Sequence, residues 1–410
     1  MQARRTFLMT TAGLPAAWSA ATQRGRYSAV EITRLIERGD VKGKLTRDDL
    51  PTPALLLDLD GFESNVAKMA GFVKGKGRSF RPHGKTHKCP EVARRLVQAG
   101  AVGNCAAKLS EAEVFASHGL RNLLITTAVV GHHKIERAMA LSRLRPDTLF
   151  CADNSQNVRD LNEAAKAGRL KLNLMIDLHV GGRTGITPGD PAVALAELIA
   201  SQSNVKLAGL QAYAGHASHT PGFDNRRKVS QEAMAPAVET RRSIEKKGIA
   251  CPLLTGGSTG TYNIDTDIDG ITELQPGSFM FMDVDYNLIG GQDGGARYVD
   301  FRNALTTLTT VVSKPRDNTA IVDGGFKAFA TDRKFGPEAK SIKGISYAFA
   351  GDEHGRLTLE ASAAALSVGD RVEFIIPHCD PTVNLYDRMY CLRGDNVEAV
   401  WPIAARGMSQ

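Results

Sequence analysis

The 410-residue sequence has only two tryptophans, six cysteines and 6% aromatic residues. It also lacks any run of about five or six like charges, so it carries no electrostatic footprint for a nucleic-acid backbone or an anionic lipid surface; neither is expected as a partner. The balance of 51 Lys+Arg against 44 Asp+Glu leaves +7, a mild surplus spread along the chain. No uninterrupted apolar stretch reaches the ~18 residues that a spanning helix needs, so no membrane is expected either. With 42% hydrophobic and 23% charged residues, the composition excludes a wholly disordered, collagen-like or coiled-coil chain. A soluble protein of two domains is expected at this length, and the 40 glycines suit a fold with many tight turns. The cysteines need not form a disulfide framework, because a chain this long builds its own core. Cys105, Cys151 and Cys251 lie in short apolar runs, where a thiol packs as a small hydrophobe. Reduced structural thiols are expected for most of the six, with Cys379 left open.

The chain opens MQARRTFLMTTAGLPAAWSAATQ. A charged pair, Arg4–Arg5, leads an uncharged stretch that reaches small residues at Ser19 and Ala21, the order of a secretory signal. The pair followed by Thr6, Phe7 and Leu8 is similar to a twin-arginine export signal, a receptor-read address rather than an anchor. Residues 1–22 are therefore expected to direct the protein to the periplasm, with the cytoplasm as its place if the signal is unused. The alternative is a mildly amphipathic tail.

From Phe80 to Ser278 short apolar runs alternate with helical segments, after an opening segment over residues 23–50. The runs are SFRPHGK (79–85), AVGNCAAK (101–108), NLLITTA (122–128), DTLFCAD (147–153), KLNLMIDLH (171–179), VKLAGLQAYAG (205–215), CPLLTGGS (251–258) and ITELQPGS (271–278). Strands buried on both faces read as such runs, and alternation with helices implies a parallel sheet. Phe62, Val66, Met69 and Val73 follow helical spacing. Ser110–Glu113 reads as a capping box with Gly119 as a stop, and Asp190 as a cap before Pro191. Eight units over residues 51–295 fit a (β/α)8 barrel better than a doubly wound sheet, although spacing alone is compatible with the open sheet. Residues 296–410 are β-rich and read as a second, mostly antiparallel β domain, with residues 26–58 a candidate source of one more strand.

The chemistry-bearing residues cluster in three places. Arg81-Pro-His-Gly-Lys-Thr-His-Lys88 falls at the carboxyl end of the first barrel strand, where barrel enzymes keep their catalytic groups. Lys85, crowded by Arg81, His83, His87 and Lys88, is expected to lose proton affinity and become an amine nucleophile suited to a Schiff base. The bland reading is a basic, phosphate-binding loop. Thr255-Gly-Gly-Ser-Thr-Gly-Thr261 and Pro276-Gly277-Ser278 end the seventh and eighth strands, the usual phosphate site of a barrel. Lysine and phosphate cup together point to pyridoxal phosphate. In Pro377-His-Cys-Asp-Pro-Thr-Val-Asn384, an extended backbone would put His378 and Asp380 on one face and Cys379 on the other. Imidazole plus carboxylate suits Mn²⁺, Mg²⁺ or Zn²⁺; a His–Asp hydrogen bond in a turn is the alternative.

Taken together, PTPALLLDLD, RPHGKTHK, IDLHVGGRTGI, LQAYAGH, GGSTGT, LQPGSF and HCDPTVNL resemble the fold-type III pyridoxal phosphate proteins of the D-threonine aldolase and D-serine dehydratase family, from about residue 48 to 405. The resemblance implies an alanine-racemase-like barrel, a homodimer, Lys85 as the cofactor's lysine, and His378 and Asp380 as metal ligands. It also implies Arg183 and Tyr213 near the cofactor ring, Gly256, Gly257, Ser258, Thr259, Gly277 and Ser278 around its phosphate, and Gln275 at the pyridine nitrogen, where racemases have arginine. His216 or His219 would face ring or substrate. Within the family, His-x-Asp goes with Mn²⁺ or a similar hard ion and with aldolases, and His-x-Cys with zinc and dehydratases. The implied activity is cleavage of a D-3-hydroxy amino acid to glycine and an aldehyde. Dehydration of D-serine or D-threo-3-hydroxyaspartate is the runner-up, and a non-catalytic cofactor-binding protein a third reading.

Overall fold

The strands of the protein fall into two sheets in the computed structural model, which describes residues 26–410 apart from Ala364. The expected signal, residues 1–22, lies outside the described residues. After β1 (Ala54–Asp58), the eight apolar runs form β2 (Ser79–Phe80), β3 (Asn104–Ala106), β4 (Leu123–Ile125), β5 (Leu149–Ala152), β6 (Leu172–Asp177), β7 (Val205–Ala212), β8 (Leu253–Gly256) and β9 (Glu273–Leu274). They pair in parallel in the order β2-β9-β8-β7-β6-β5-β4-β3. The two ends then meet. Val102 N–H donates to the Phe80 carbonyl at 3.0 Å, Cys105 N–H donates to the Pro82 carbonyl at 2.9 Å, and His83 and Cys105 form one parallel bridge. The sheet is thus a closed barrel, not an open one. Cys105, Leu124, Leu149, Cys151 and Met175 pack as a cluster of their own, as inward-facing residues of adjacent barrel strands do.

The helices bury the stripes their spacing calls for. Helix Leu59–Gly75 turns Phe62, Val66, Met69 and Val73 into the main core. Two caps differ from expectation. The helix Leu109–Ser117 starts one residue before Ser110, and Glu111 rather than Glu113 reaches back, accepting from the N–H groups of Ala107 (2.7 Å) and Lys108 (3.2 Å). Asp190 is the first helical residue, with Gly189 as its cap.

The second sheet contains β10 (Leu305–Arg316), β11 (Thr319–Val322), β12 (Glu338–Ala339), β13 (Ile345–Phe349), β14 (Gly355–Leu359), β15 (Arg371–Ile375), β16 (Arg388–Arg393) and β17 (Asn396–Pro402). It runs β13-β14-β11-β10-β1-β16-β17, with β15 on β10 and β12. The early strand β1 sits in its middle, antiparallel to β10 and parallel to β16. Helix Ala29–Arg38 precedes it in the chain, its Ile32 packing with Val41, Leu45, Leu56 and Tyr390. Residues 26–58 therefore complete the second core. All six cysteines are free and buried, Cys379 among them. Among the described residues no helix is long and apolar enough to cross a membrane.

Candidate active site

The end of β2 builds the first wall of a cavity at the carboxyl end of the barrel. Past Phe80 the chain makes a one-turn helix, Gly84–His87, capped by His83. A side chain on Gly84 would collide with Asn104, Phe115 and the Cys105 carbonyl, so glycine lets this turn press onto the barrel. His83 Nδ1 accepts from the Lys85 N–H at 3.3 Å, which leaves the ring proton on Nε2, 3.2 Å from the Thr126 hydroxyl. His87 Nδ1 likewise accepts from the Cys89 N–H at 3.1 Å.

The cavity is narrow and small for a ligand site, with about 40 Å³ open to the centres of water-sized spheres. From β2 it receives His83, Lys85 and Thr86. From the loop after β7 come Tyr213 and His219, and from the ends of β8 and β9 come Ser258, Gln275, Gly277 and Ser278. Tyr286 lies beyond the barrel, and His378 and Asp380 descend from the second domain. The expected residues that it does not bring to the wall are equally clear. His216 is exposed, and Arg183 is an exposed flank whose guanidinium stacks over the Tyr213 ring at 4.9 Å. The Thr259 hydroxyl is spent on the Phe279 N–H at 3.0 Å, and Gly256 and Gly257 lie behind Ser258, packed against the Ala212 carbonyl and Asp265.

Two expectations are corrected. Lys85 is not an amine depressed by a crowd of cations. Burial does push it down, but the Asp380 carboxylate, 3.6 Å from Nζ, together with Tyr213, outweighs burial and Arg183 and leaves it above the ordinary lysine value. Of the four expected cations Lys88 does stay close, its Nζ donating to the Lys85 carbonyl and, at 2.8 Å, to the Asp380 carbonyl; the other three are neutral or turned away. Burial holds His83 well below the usual imidazole range and His87 at about 4. Arg81 points inward to a bidentate pair with Glu273 at 2.9 and 3.0 Å. Nor is the HCDP segment extended: His378 caps a short helix, Cys379–Asn384, with Asp380 in its first turn. The pair still reaches one cavity. Cys379 turns away, its Sγ 3.6 Å from the Met282 carbonyl, and its N–H donates to Asp283 at 2.8 Å.

A family model described as "Alanine racemase, N-terminal domain" matches residues 57–285, and one described as "Putative serine dehydratase domain" matches residues 304–392. The chain is 35% identical over 369 residues to a 3-hydroxy-D-aspartate aldolase of Paracoccus denitrificans (strain Pd 1222), covering 88% of this chain and 94% of that one. It is 36% identical over 361 residues to a D-threonine aldolase of Arthrobacter sp, covering 88% and 93% respectively. The crystal structure of D-threonine aldolase from Filomicrobium marinum superposes with a TM-score of 0.84 at 36% identity, over 88% of this chain and 97% of that one. The chain belongs to the D-threonine aldolase family.

In this member of the D-threonine aldolase family, the cavity residues fit the two groups that the sequence calls for. Pyridoxal phosphate needs an amine, an anion cradle and a ring-nitrogen partner, and the cavity wall supplies Lys85, then Ser258 with Gly277 and Ser278, then Gln275. Gln275 has a defined polarity. Gln211 Nε2 donates to the Thr126 carbonyl (3.0 Å) and to Asp177 (2.8 Å), so Gln211 Oε1 faces Gln275 and takes its Nε2 at 3.4 Å. Thr255 Oγ1 lies 3.2 Å from the same Nε2, which leaves Gln275 Oε1 as the free, accepting end. The cation fits as a two-ligand site. Burial would raise Asp380, but Lys85, His378 and Lys88 overcome it and keep the carboxylate strongly acidic, hence ionised. Among the described residues the single three-residue group with metal-ligand spacing is instead His132, His133 and Glu136, all exposed. Sequence reasoning missed Tyr286, whose hydroxyl lies 2.9 Å from Ser218 Oγ, and Asp283, which pins both Cys379 and Tyr286. An Asp-x-x-Tyr cap at residues 283–286 was the available signal.

Proposed function

We propose that the protein is a pyridoxal phosphate- and divalent-metal-dependent aldolase that cleaves D-3-hydroxy amino acids, typified by D-threonine, to glycine and an aldehyde. The observation that carries this is the meeting of Lys85 with a hard His378/Asp380 pair in one cavity, Cys379 facing away. Its relatives named as aldolases, at 35% and 36% identity, support the same reading. Lys85 would hold pyridoxal phosphate, whose conjugated ring would supply an electron sink for a bond broken at Cα. A divalent ion, Mn²⁺ first and Mg²⁺ or Zn²⁺ after it, supplies a Lewis acid for a substrate hydroxyl.

The chain's own residues do the rest. Asp380 holds Lys85 Nζ against the cavity wall and keeps a fixed negative charge beside it. Tyr213, with Lys85 Nζ 5.7 Å and the Arg183 guanidinium 4.9 Å from its ring centre, forms an aromatic wall that keeps water from one side. His219 is the imidazole we assign to take the hydroxyl proton, because it reaches the cavity while His216 does not. Its Nδ1 lies 3.1 Å from Asp285, and its ring packs 4.7 Å from that of Tyr286. Tyr286, raised far above the ordinary phenol value by burial, stays protonated and is not a competing base.

A dehydratase reading keeps the same residues and is favoured by the second family model. Incubation with D-threonine separates the two: acetaldehyde plus glycine supports the aldolase, while 2-oxobutanoate plus ammonia overturns it. Borohydride reduction and peptide mapping should label Lys85, with metal analysis on the same sample. The expected periplasmic export is a separate proposal carried by Arg4 and Arg5. Cell fractionation that finds only uncleaved cytosolic protein would remove it without touching the enzymology.

A further inference from the structure

Two adjacent residues on the connection between β11 and β12, Asp332 and Arg333, lie behind the cavity without lining it, Asp332 against His378 and Arg333 against Asp285. Asp332 Oδ2 accepts from His378 Nδ1 at 2.8 Å and from Arg333 Nη1 at 3.0 Å. Arg333 continues to Asp285 Oδ2, with Nε and Nη2 both at 2.9 Å. Asp285 Oδ2 in turn lies 3.1 Å from His219 Nδ1. Contacts therefore run unbroken from His378 through Asp332, Arg333 and Asp285 to His219.

The chemistry of this chain fixes which nitrogen is offered. An ionised carboxylate can only accept, so the hydrogen between Asp332 and His378 belongs to Nδ1. A neutral imidazole has one such hydrogen, and Nε2 is left with the lone pair. Arg333, shared between Asp332 and Asp285, is pushed above the usual guanidinium value despite burial, and with His219 it keeps Asp285 below the usual carboxylate range. An ordinary surface ion pair contributes little. Here the imidazole side chain is 15% exposed and Asp285 12%, while Asp332 is 37% exposed, so the carboxylate acts from the surface on a largely enclosed ring.

We propose that Asp332 is a positioning residue of the cation site: it takes the Nδ1 hydrogen of His378 and presents Nε2 to the divalent ion. Arg333 anchors the same loop to Asp285 and so to His219. A carboxylate behind a ligating histidine fixes its tautomer and ring orientation and raises its basicity, with losses of about 10–100-fold in metal affinity when it is removed. The inference rests on the cation site proposed above. Its test is Mn²⁺ titrated into cofactor-loaded protein stripped of metal, with free Mn²⁺ read by electron paramagnetic resonance.

Asp332→Ala should weaken binding about 10–100-fold, and Asp332→Asn, whose Oδ1 still accepts from Nδ1, should restore most of it. The cofactor absorbance band reports that each variant is folded, and Asp332→Ser stands in if the alanine variant is not. Unchanged affinity in Asp332→Ala, or an Asp332→Asn as weak as it, overturns the assignment. His378→Ala separates the two failures. If it loses Mn²⁺ while Asp332→Ala keeps it, only the positioning role falls; if it too binds normally, the cation site falls and the role with it.

Discussion

Beneath the glycine-serine turn, Asp265 accepts from the hydroxyls of Ser230 and Thr261 with no exposure to solvent to speak of. Burial pushes its carboxyl up to about 6, the two hydroxyls pulling the other way. The unfolded chain titrates the same group near ~3.9. The folded form thus binds this proton more tightly. The stability it contributes is whole below about pH 4 and is lost as pH rises through about 6, so the ionised form costs ~3 kcal/mol at neutral pH. Asp265→Asn keeps the shape and removes the titration. Relative to the parent, the variant should gain ~2 kcal/mol between about pH 4.5 and pH 7.5. With an unfolding entropy of ~2 cal/mol/K per residue, that is a shift of ~2–3 °C in Tm. Scanning calorimetry of both proteins at the two pH values measures it. A Tm difference that stays constant, or that moves toward the parent as pH rises, would refute the reasoning.

Other outcomes follow from the same contacts. Lys85→Ala should lose the cofactor band and the borohydride label while keeping its fold, as circular dichroism would show. Gly277→Ala places a Cβ 2.5 Å from Thr86 Oγ1; this overpacking should cost ~1–3 kcal/mol and weaken cofactor retention at least about tenfold on dialysis. Glu273→Ala leaves Arg81 buried without its bidentate partner and should destabilise by ~3–5 kcal/mol in chemical denaturation, against little change for an exposed pair such as Lys327–Glu353. Chelation should abolish turnover yet leave the cofactor band, and added Mn²⁺ should restore turnover.

Much of this architecture was legible in the sequence because burial on both faces leaves unbroken apolar runs. Every one of the eight runs became a barrel strand, and β1 joined the second sheet, the strand expected from residues 26–58. Lys85, Ser258, Gln275, Gly277, Ser278, His219, His378 and Asp380 do converge. What failed was the direction of side chains. Arg81 and Glu273 are neighbours only because β2 pairs with β9, and no local pattern announces a partner that far along the chain. The basic loop looked like a cluster of charge, yet enclosure makes His83 and His87 neutral. The HCDP segment did carry its own clue: Pro381 falls in the first turn of the short helix, where its missing N–H costs nothing. Asp332 and Arg333 had no periodic or spaced signature, because their meaning comes only from what the fold sets opposite them.

The placement of β1 has a consequence for biosynthesis. Leu56 leaves the ribosome early, but its neighbour Tyr390 is made on the order of 300 residues later. At ~5–20 residues per second, the opening segment waits roughly 15–70 s for the strand that will clasp it. The barrel can close during that interval; β10 then takes one edge of β1, and the β16–β17 hairpin closes over the other only after it is made.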